Sequence, residues 1–106
     1  MKIKKTKFKN LVILKGVKHK DNRGYLRELV LEKLIKKNFK FQILSVSKKN
    51  VLRGLHFQIK KPQGKLIKVL NGSIFDVFVD LRKKSPTYKK VQTINLKKSD
   101  NSILWL

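Results

Sequence analysis

Asn50-Val51-Leu52-Arg53-Gly54-Leu55-His56-Phe57-Gln58 is the stretch on which the reading of this sequence turns. Val51, Leu52, Leu55 and Phe57 give it the apolar character of a buried strand, and Lys48-Lys49-Asn50 ahead of it is a turn signal. Set into that strand are an arginine, a glycine, one of the chain's two histidines and a glutamine. With period two, Arg53 and His56 fall on opposite faces, because their spacing is odd. Gly54 between them is where a bulge would bring both side chains to one side, since an isolated strand glycine often marks one. The stretch is therefore expected to be a strand that aims an Arg and a His into one cavity.

Downstream, Lys60-Lys61-Pro62-Gln63-Gly64 reads as a turn and Lys65–Leu70 as the next strand. Asn71-Gly72 is a hairpin signal, which makes Ser73–Leu81 the antiparallel partner of that strand. Asp76 and Asp80 share one face of Ser73–Leu81 with Phe78. Ser85-Pro86-Thr87 makes a turn, and Val91–Leu96 and Ile103–Leu106 are further strands. Upstream, Phe39–Ser47 alternates as a strand, and Leu31, Leu34 and Ile35 have helical spacing that predicts one short helix over Leu31–Lys37. Tyr25–Leu31 reads as a strand after the Asp21-Asn22-Arg23-Gly24 turn, and Ile3–Phe8 and Leu11–Leu14 as Lys-rich edge strands. Short strands at about ten-residue spacing predict an all-β antiparallel sandwich or barrel forming a single domain over 1–106. Trp105-Leu106 falls inside an apolar strand, which predicts an open edge and hence a dimer or aggregate.

A chain of 106 residues suffices for one core. It has no cysteine, no apolar run of the roughly 20 residues needed to span a membrane, and no apolar signal core after Met1-Lys2-Ile3-Lys4-Lys5. A soluble, cytoplasmic protein without a membrane partner is expected. Its net charge of +22, from 28 Lys plus Arg against 6 Asp plus Glu, predicts attraction to polyanions. The lysines are scattered through every segment, however, and the arginines are only Arg23, Arg27, Arg53 and Arg82. No nucleic-acid-binding module is visible, so the pattern favours a solvated surface over nucleic acid as partner.

His56 is the first candidate for chemistry. With Lys65 and Asp76 on the following strands it makes a base, an electrophilic cation and an orienting carboxylate, a set suited to removing a proton beside a carbonyl. Asp76 is explained equally well by structural pairing with Lys65. Arg23 and Arg53 suit a diphosphate, since guanidinium forks match phosphate oxygens. Glu28 suits a sugar hydroxyl, or pairs with Arg27 or a lysine. Arg82 and Ser85-Pro86-Thr87 read as a structural turn, and His19 as a surface residue in a Lys-rich loop. No metal is expected, because Gln58 stands where a His-x-His pair would place its second ligand. No Gly-rich phosphate loop and no Ser-His-Asp set is present.

Arg53–Gln58, with Asp21-Asn22-Arg23-Gly24-Tyr25 before it and Gln63-Gly64-Lys65-Leu66, Phe75–Arg82 and Ser85-Pro86-Thr87 after it, resembles the dTDP-4-dehydrorhamnose 3,5-epimerase family of nucleotide-sugar biosynthesis. The resemblance runs in order over essentially the whole chain. It implies a cupin-type antiparallel jelly-roll barrel, of which this chain is the N-terminal part, and a homodimer with N-terminal strands packed on the neighbouring subunit. It implies an isomerase that inverts carbons 3 and 5 of dTDP-4-dehydro-6-deoxyglucose through enolates, in dTDP-rhamnose biosynthesis for cell-surface polysaccharide, with no cofactor. In that family's terms His56 is the general base, Lys65 steadies the enolate oxygen and Asp76 lies near the base. Arg23, Glu28 and Arg53 hold substrate, Arg23 at the diphosphate.

Two departures from the family pattern matter. Phe41-Gln42-Ile43-Leu44-Ser45-Val46-Ser47 keeps both serines of a Gln-x-Asn-x-Ser-x-Ser run but shifts the Gln by one and replaces the Asn, leaving Gln42 as the candidate nucleotide contact. The family continues into Pro-x-Gly-x-x-His-Gly and a second half of the barrel, which carries a tyrosine acid and an Asp that orients the histidine. Neither Tyr25 nor Tyr88 stands at the acid's position. The expectation is enolisation without full inversion. The alternatives are a non-catalytic sugar-nucleotide-binding or interaction module or truncated remnant and, third, a polyanion binder.

Overall fold

A computed structural model of the protein describes residues 1–29 and 35–106. Eight strands run through them: β1 (Lys2–Lys5), β2 (Val12–Lys15), β3 (Lys18–Asp21), β4 (Gly24–Arg27), β5 (Leu66–Ile67), β6 (Ser73–Val79), β7 (Val91–Lys97) and β8 (Ser102–Trp105). β1, β2, β8 and β5 form one antiparallel sheet in that order, β6 pairs with β7, and β3 pairs with β4. The all-β expectation holds. The helix expected over Leu31–Lys37 falls mostly on 30–34, outside the described residues.

Strand parity builds the core. Ile13 pairs with Leu104 and Leu14 with Ile103, so each pair sends its side chains to opposite faces of the sheet. On one face Ile13, Ile67, Leu104 and Leu106 meet Phe78, Ile94 and Leu96 of the β6–β7 sheet, with Phe8, Leu11 and Val69 filling the cluster. On the other, Leu14 and Ile103 are buried and Phe39 meets Trp105 edge-on, with ring centres 6.1 Å apart. The turn between β1 and β2 is set by Thr6. Its hydroxyl donates to Leu11 O at 2.7 Å and accepts from Phe8 N at 3.2 Å, which holds both apolar residues to the core.

Past β6 the chain is tied by Asp80, a buried carboxylate. Arg82 donates to it from Nε and Nη2, both at 2.8 Å, and from its backbone N at 3.0 Å; the Ser85 and Thr87 hydroxyls each donate at 2.6 Å. Arg82 Nη1 also reaches Lys9 O at 3.0 Å, linking this loop to the β1–β2 turn. Hydrogen bonds from Arg82, then Ser85 and Thr87, hold the Asp80 carboxyl far below the usual carboxylate range. The structural reading of Arg82 and Ser85-Pro86-Thr87 thus stands, with Asp80 as its centre.

Four expectations are corrected. Asn50–Gln58 and Phe39–Ser47 are not strands: among the described residues they join no ladder, and a strand pattern without a partner cannot satisfy its backbone by pairing. Asn71-Gly72 does not close a hairpin, because β5 pairs with β8 and β6 with β7. Gly72 takes a positive φ of 73° at a corner between sheets, and its carbonyl accepts from Lys98 N at 3.0 Å. Trp105 and Leu106 are not an open edge. β8 is flanked by β2 and β5, and Leu106 exchanges backbone bonds with Lys65 at 2.8 and 3.0 Å, so the open-edge argument for a dimer lapses. Finally, His19 belongs to β3 and not to a loop, although it is exposed as expected.

Candidate active site

Arg23 sits at the tip of the β3–β4 hairpin, in the turn expected there. Asp21 accepts from its backbone N at 2.9 Å and from its Nε and Nη2 at 3.1 and 2.6 Å. Those bonds hold the Asp21 carboxyl below its ordinary value. Both side chains face solvent, where such a pair is well screened, so Arg23 can exchange this carboxylate for another anion at little cost. Glu28 follows β4 and is exposed. Its neighbour Arg27 turns elsewhere, donating from Nη1 to Asp100 O at 3.1 Å and Asn101 Oδ1 at 3.3 Å. Tyr25, on the same strand, lies 3.7 Å beneath the Lys18 ammonium.

Lys65 precedes β5, and its main chain is fixed by the two bonds to Leu106. Asp76 is central in β6, opposite Ile94 and on the face that Phe78 shares, half-buried. Burial pushes its carboxyl above the ordinary value, while the Val77 N–H and the positive charge of Lys65 pull the other way. Lys65 and Asp76 are therefore electrostatic neighbours, but not through the expected hairpin, since β5 and β6 lie in different sheets.

Arg53, His56 and Gln42 are all exposed and stand outside the ladders. Gly54 between Arg53 and His56 has a φ of 102°, and a Cβ built there would stand 3.5 Å from His56 Nδ1. No ladder passes through Gly54 among the described residues, so the expected strand bulge is absent from this arrangement. Arg53 Nε donates instead to Ser47 Oγ at 3.0 Å, and its Nη2 to Val46 O at 3.4 Å. Among the described residues no hydrogen bond or ion pair joins His56 to Lys65 or Asp76. Two open clefts, of about 490 and 640 Å³, have none of the three in their lining. No three His, Cys, Asp or Glu side chains gather as a metal site among the described residues, and none of the described helices is long and apolar enough to cross a membrane. Ser47 as a partner of Arg53 escaped the sequence reading; the turn signal at Lys48-Lys49-Asn50, which folds Val46-Ser47 back toward Arg53, was the clue to it.

Residues 5–106 match the family model for dTDP-4-dehydrorhamnose 3,5-epimerase. The chain belongs to that family. A curated relative, the dTDP-4-dehydrorhamnose 3,5-epimerase of Methanothermobacter thermautotrophicus, is 46% identical over 89 residues, covering 79% of this chain and 48% of the relative. The crystal structure of dTDP-4-dehydrorhamnose 3,5-epimerase from Elizabethkingia anophelis superposes with a TM-score of 0.87 at 35% identity, covering all of this chain and 62% of that one. A Legionella pneumophila 3,5-epimerase in complex with dTDP-4-keto-L-rhamnose gives 0.85 at 35% identity, over 99% of this chain and 59% of that one. The fold is that of these cupin-type epimerases. The chain spans about half to three-fifths of the length of the family members it matches.

Proposed function

We propose that the protein works on a dTDP-linked 4-keto sugar, removing protons from the carbons beside the ketone as the base half of a 3,5-epimerisation. The observation that carries this reading is the family match over 5–106, which takes in Arg23, His56, Lys65 and Asp76 together. The relative solved with dTDP-4-keto-L-rhamnose supports a dTDP-sugar as the ligand class. In the proposed step His56 takes the proton from carbon 3 or 5, and the electron pair moves onto the C4 oxygen. The Lys65 ammonium steadies the enolate that forms. Asp76, raised by burial and lowered by Lys65, tunes the charge around that ammonium. Arg23 and Arg53 hold the diphosphate and sugar oxygens, with Glu28 and Gln42 beside them. The proton stays on His56 and returns to carbon from it or from solvent; a full inversion needs a proton donor on the opposite face, which this set of residues does not supply. The reading extends to a homodimer acting in the cytoplasm.

A second reading, a sugar-nucleotide-binding module without turnover, is favoured by one observation: His56 is exposed, and among the described residues no hydrogen bond joins it to Lys65 or Asp76. Proton NMR of dTDP-4-dehydro-6-deoxyglucose in deuterated buffer separates the two. Loss of the carbon 3 or carbon 5 proton signal with the protein, abolished in His56→Ala, is the expected result. An unchanged spectrum from folded protein that still binds the nucleotide sugar would replace the first reading with the second.

A further inference from the structure

The structure contains three kinds of arginine environment, and Arg53 differs from the others in a way that bears on ligand binding. Arg23 and Arg82 are each held by a carboxylate, Asp21 and Asp80, which orients the guanidinium and neutralises it at once. Arg27 is held by a backbone carbonyl and an amide on the 100–101 turn. Among the described residues Arg53 is held by uncharged acceptors, the Ser47 hydroxyl and the Val46 carbonyl, so its direction is set without a carboxylate to neutralise it.

The atoms involved fix which side of the fork is left. A guanidinium offers five N–H donors, and its Nε and Nη2 share one edge. That edge faces Ser47 and Val46. The Nη1–Nη2 end points away from them, with two parallel donors in the geometry that matches a pair of phosphate or sugar oxygens. The chain reversal at Lys49-Asn50, where Asn50 takes a φ of 63°, is what returns Val46-Ser47 to Arg53.

We propose that Ser47 is a positioning residue for Arg53, taking the Nε edge so that the Nη1–Nη2 end receives the oxygens of a bound nucleotide sugar. This rests on the reading of Arg53 as substrate-binding. A lysine at 53 cannot reproduce it, because one ammonium cannot present a separate edge to Ser47 and a two-pronged end to the ligand.

The test is calorimetric titration with dTDP-glucose of the wild type, Ser47→Ala, Ser47→Thr, Arg53→Ala and the Ser47→Ala/Arg53→Ala double variant. Ser47→Ala is expected to weaken binding about 3- to 10-fold, as for one solvent-facing hydrogen bond to a charged group. Ser47→Thr, which keeps the hydroxyl, restores it. In the Arg53→Ala background, Ser47→Ala changes affinity by less than about 2-fold, which is the signature of coupling between the two residues. Equal losses with and without Arg53, or an unchanged affinity in Ser47→Ala while Arg53→Ala binds poorly, would overturn the positioning role alone. An Arg53→Ala variant that binds as well as the wild type, or a wild type that does not bind, would remove the substrate-binding reading and this role with it.

Discussion

β8 and the stretch from Phe41 to Ile59 both carry strand-forming apolar side chains, yet the circumstances of those side chains are opposite. Leu104 is completely buried, whereas Leu52 is 92% exposed and Ile59 87%. β8 has a ladder on each side and a sheet packed over one face. The stretch from 41 to 59 has no ladder among the described residues. Apolar side chains make a strand possible, but neighbouring strands are what bury it, because only pairing satisfies the backbone that burial would strip of water. The candidate site straddles this divide. Lys65 and Asp76 ride on the sandwich, while Arg53, His56 and Gln42 ride on the exposed stretch.

The sharpest check compares the two leucines. Leu104→Ala should cost about 2–5 kcal/mol in urea unfolding, as for a large-to-small change in a packed core. Leu52→Ala should stay within about 0.5 kcal/mol, as for a surface position. A comparable loss at both sites would mean that the stretch is buried in solution, and the contrast would fall.

Next in size is Asp80→Asn, which removes a buried acceptor from Arg82, Ser85 and Thr87 and should lower the thermal midpoint, though less than Leu104→Ala. Because the folded carboxyl lies below its unfolded value, its stabilisation is fully present above about pH 4 and lost as pH falls below that. The wild type should therefore lose stability on acidification faster than the Asn variant. Parallel acid curves for the two would contradict the Asp80-centred loop.

Gly54→Ala probes the other side of the divide. The positive φ strains any side chain there, and its Cβ would come into van der Waals contact with His56. The expected outcome is a displaced His56 imidazole resonance in NMR and slower proton exchange from the substrate, with the unfolding midpoint moved by no more than about 0.5 kcal/mol. A large loss of global stability would place Gly54 inside the cooperative fold.

The smallest effect is expected from Asp76→Asn. Burial raises the folded carboxyl, so the native state keeps its proton to higher pH than the unfolded chain does. The wild type should thus lose a little stability as pH rises from about 4 through that raised value, and Asp76→Asn should not. Unfolding curves measured from pH 3.5 to 6.5 would reveal the difference in slope.

What could be read from residue order alone was local. β6 and β7 showed in their composition, and the turns at Asp21–Gly24 and Ser85–Thr87 in side chains that bond the nearby backbone. Pairing was not legible, because it is settled by packing between distant segments. Asn71-Gly72 carried a strong hairpin signal, but Leu66 and Ile67 found Trp105 and Leu104 as partners. For the same reason Asn50–Gln58 had the pattern of a strand and no means of showing whether a neighbour exists. The candidate site residues were legible mainly as a series of motifs. Nothing in their spacing revealed that Lys65 and Asp76 would sit on different sheets, or that Ser47 would hold Arg53.

The place of β8 between β2 and β5 has a consequence for the order of events during synthesis. Val12 leaves the ribosome about ninety residues before its partner Trp105. At roughly 5–20 residues per second, the first hairpin waits on the order of ten seconds with one side unmatched. The lysines at positions 2, 4, 5, 7 and 9 repel similar segments of other nascent chains over that interval.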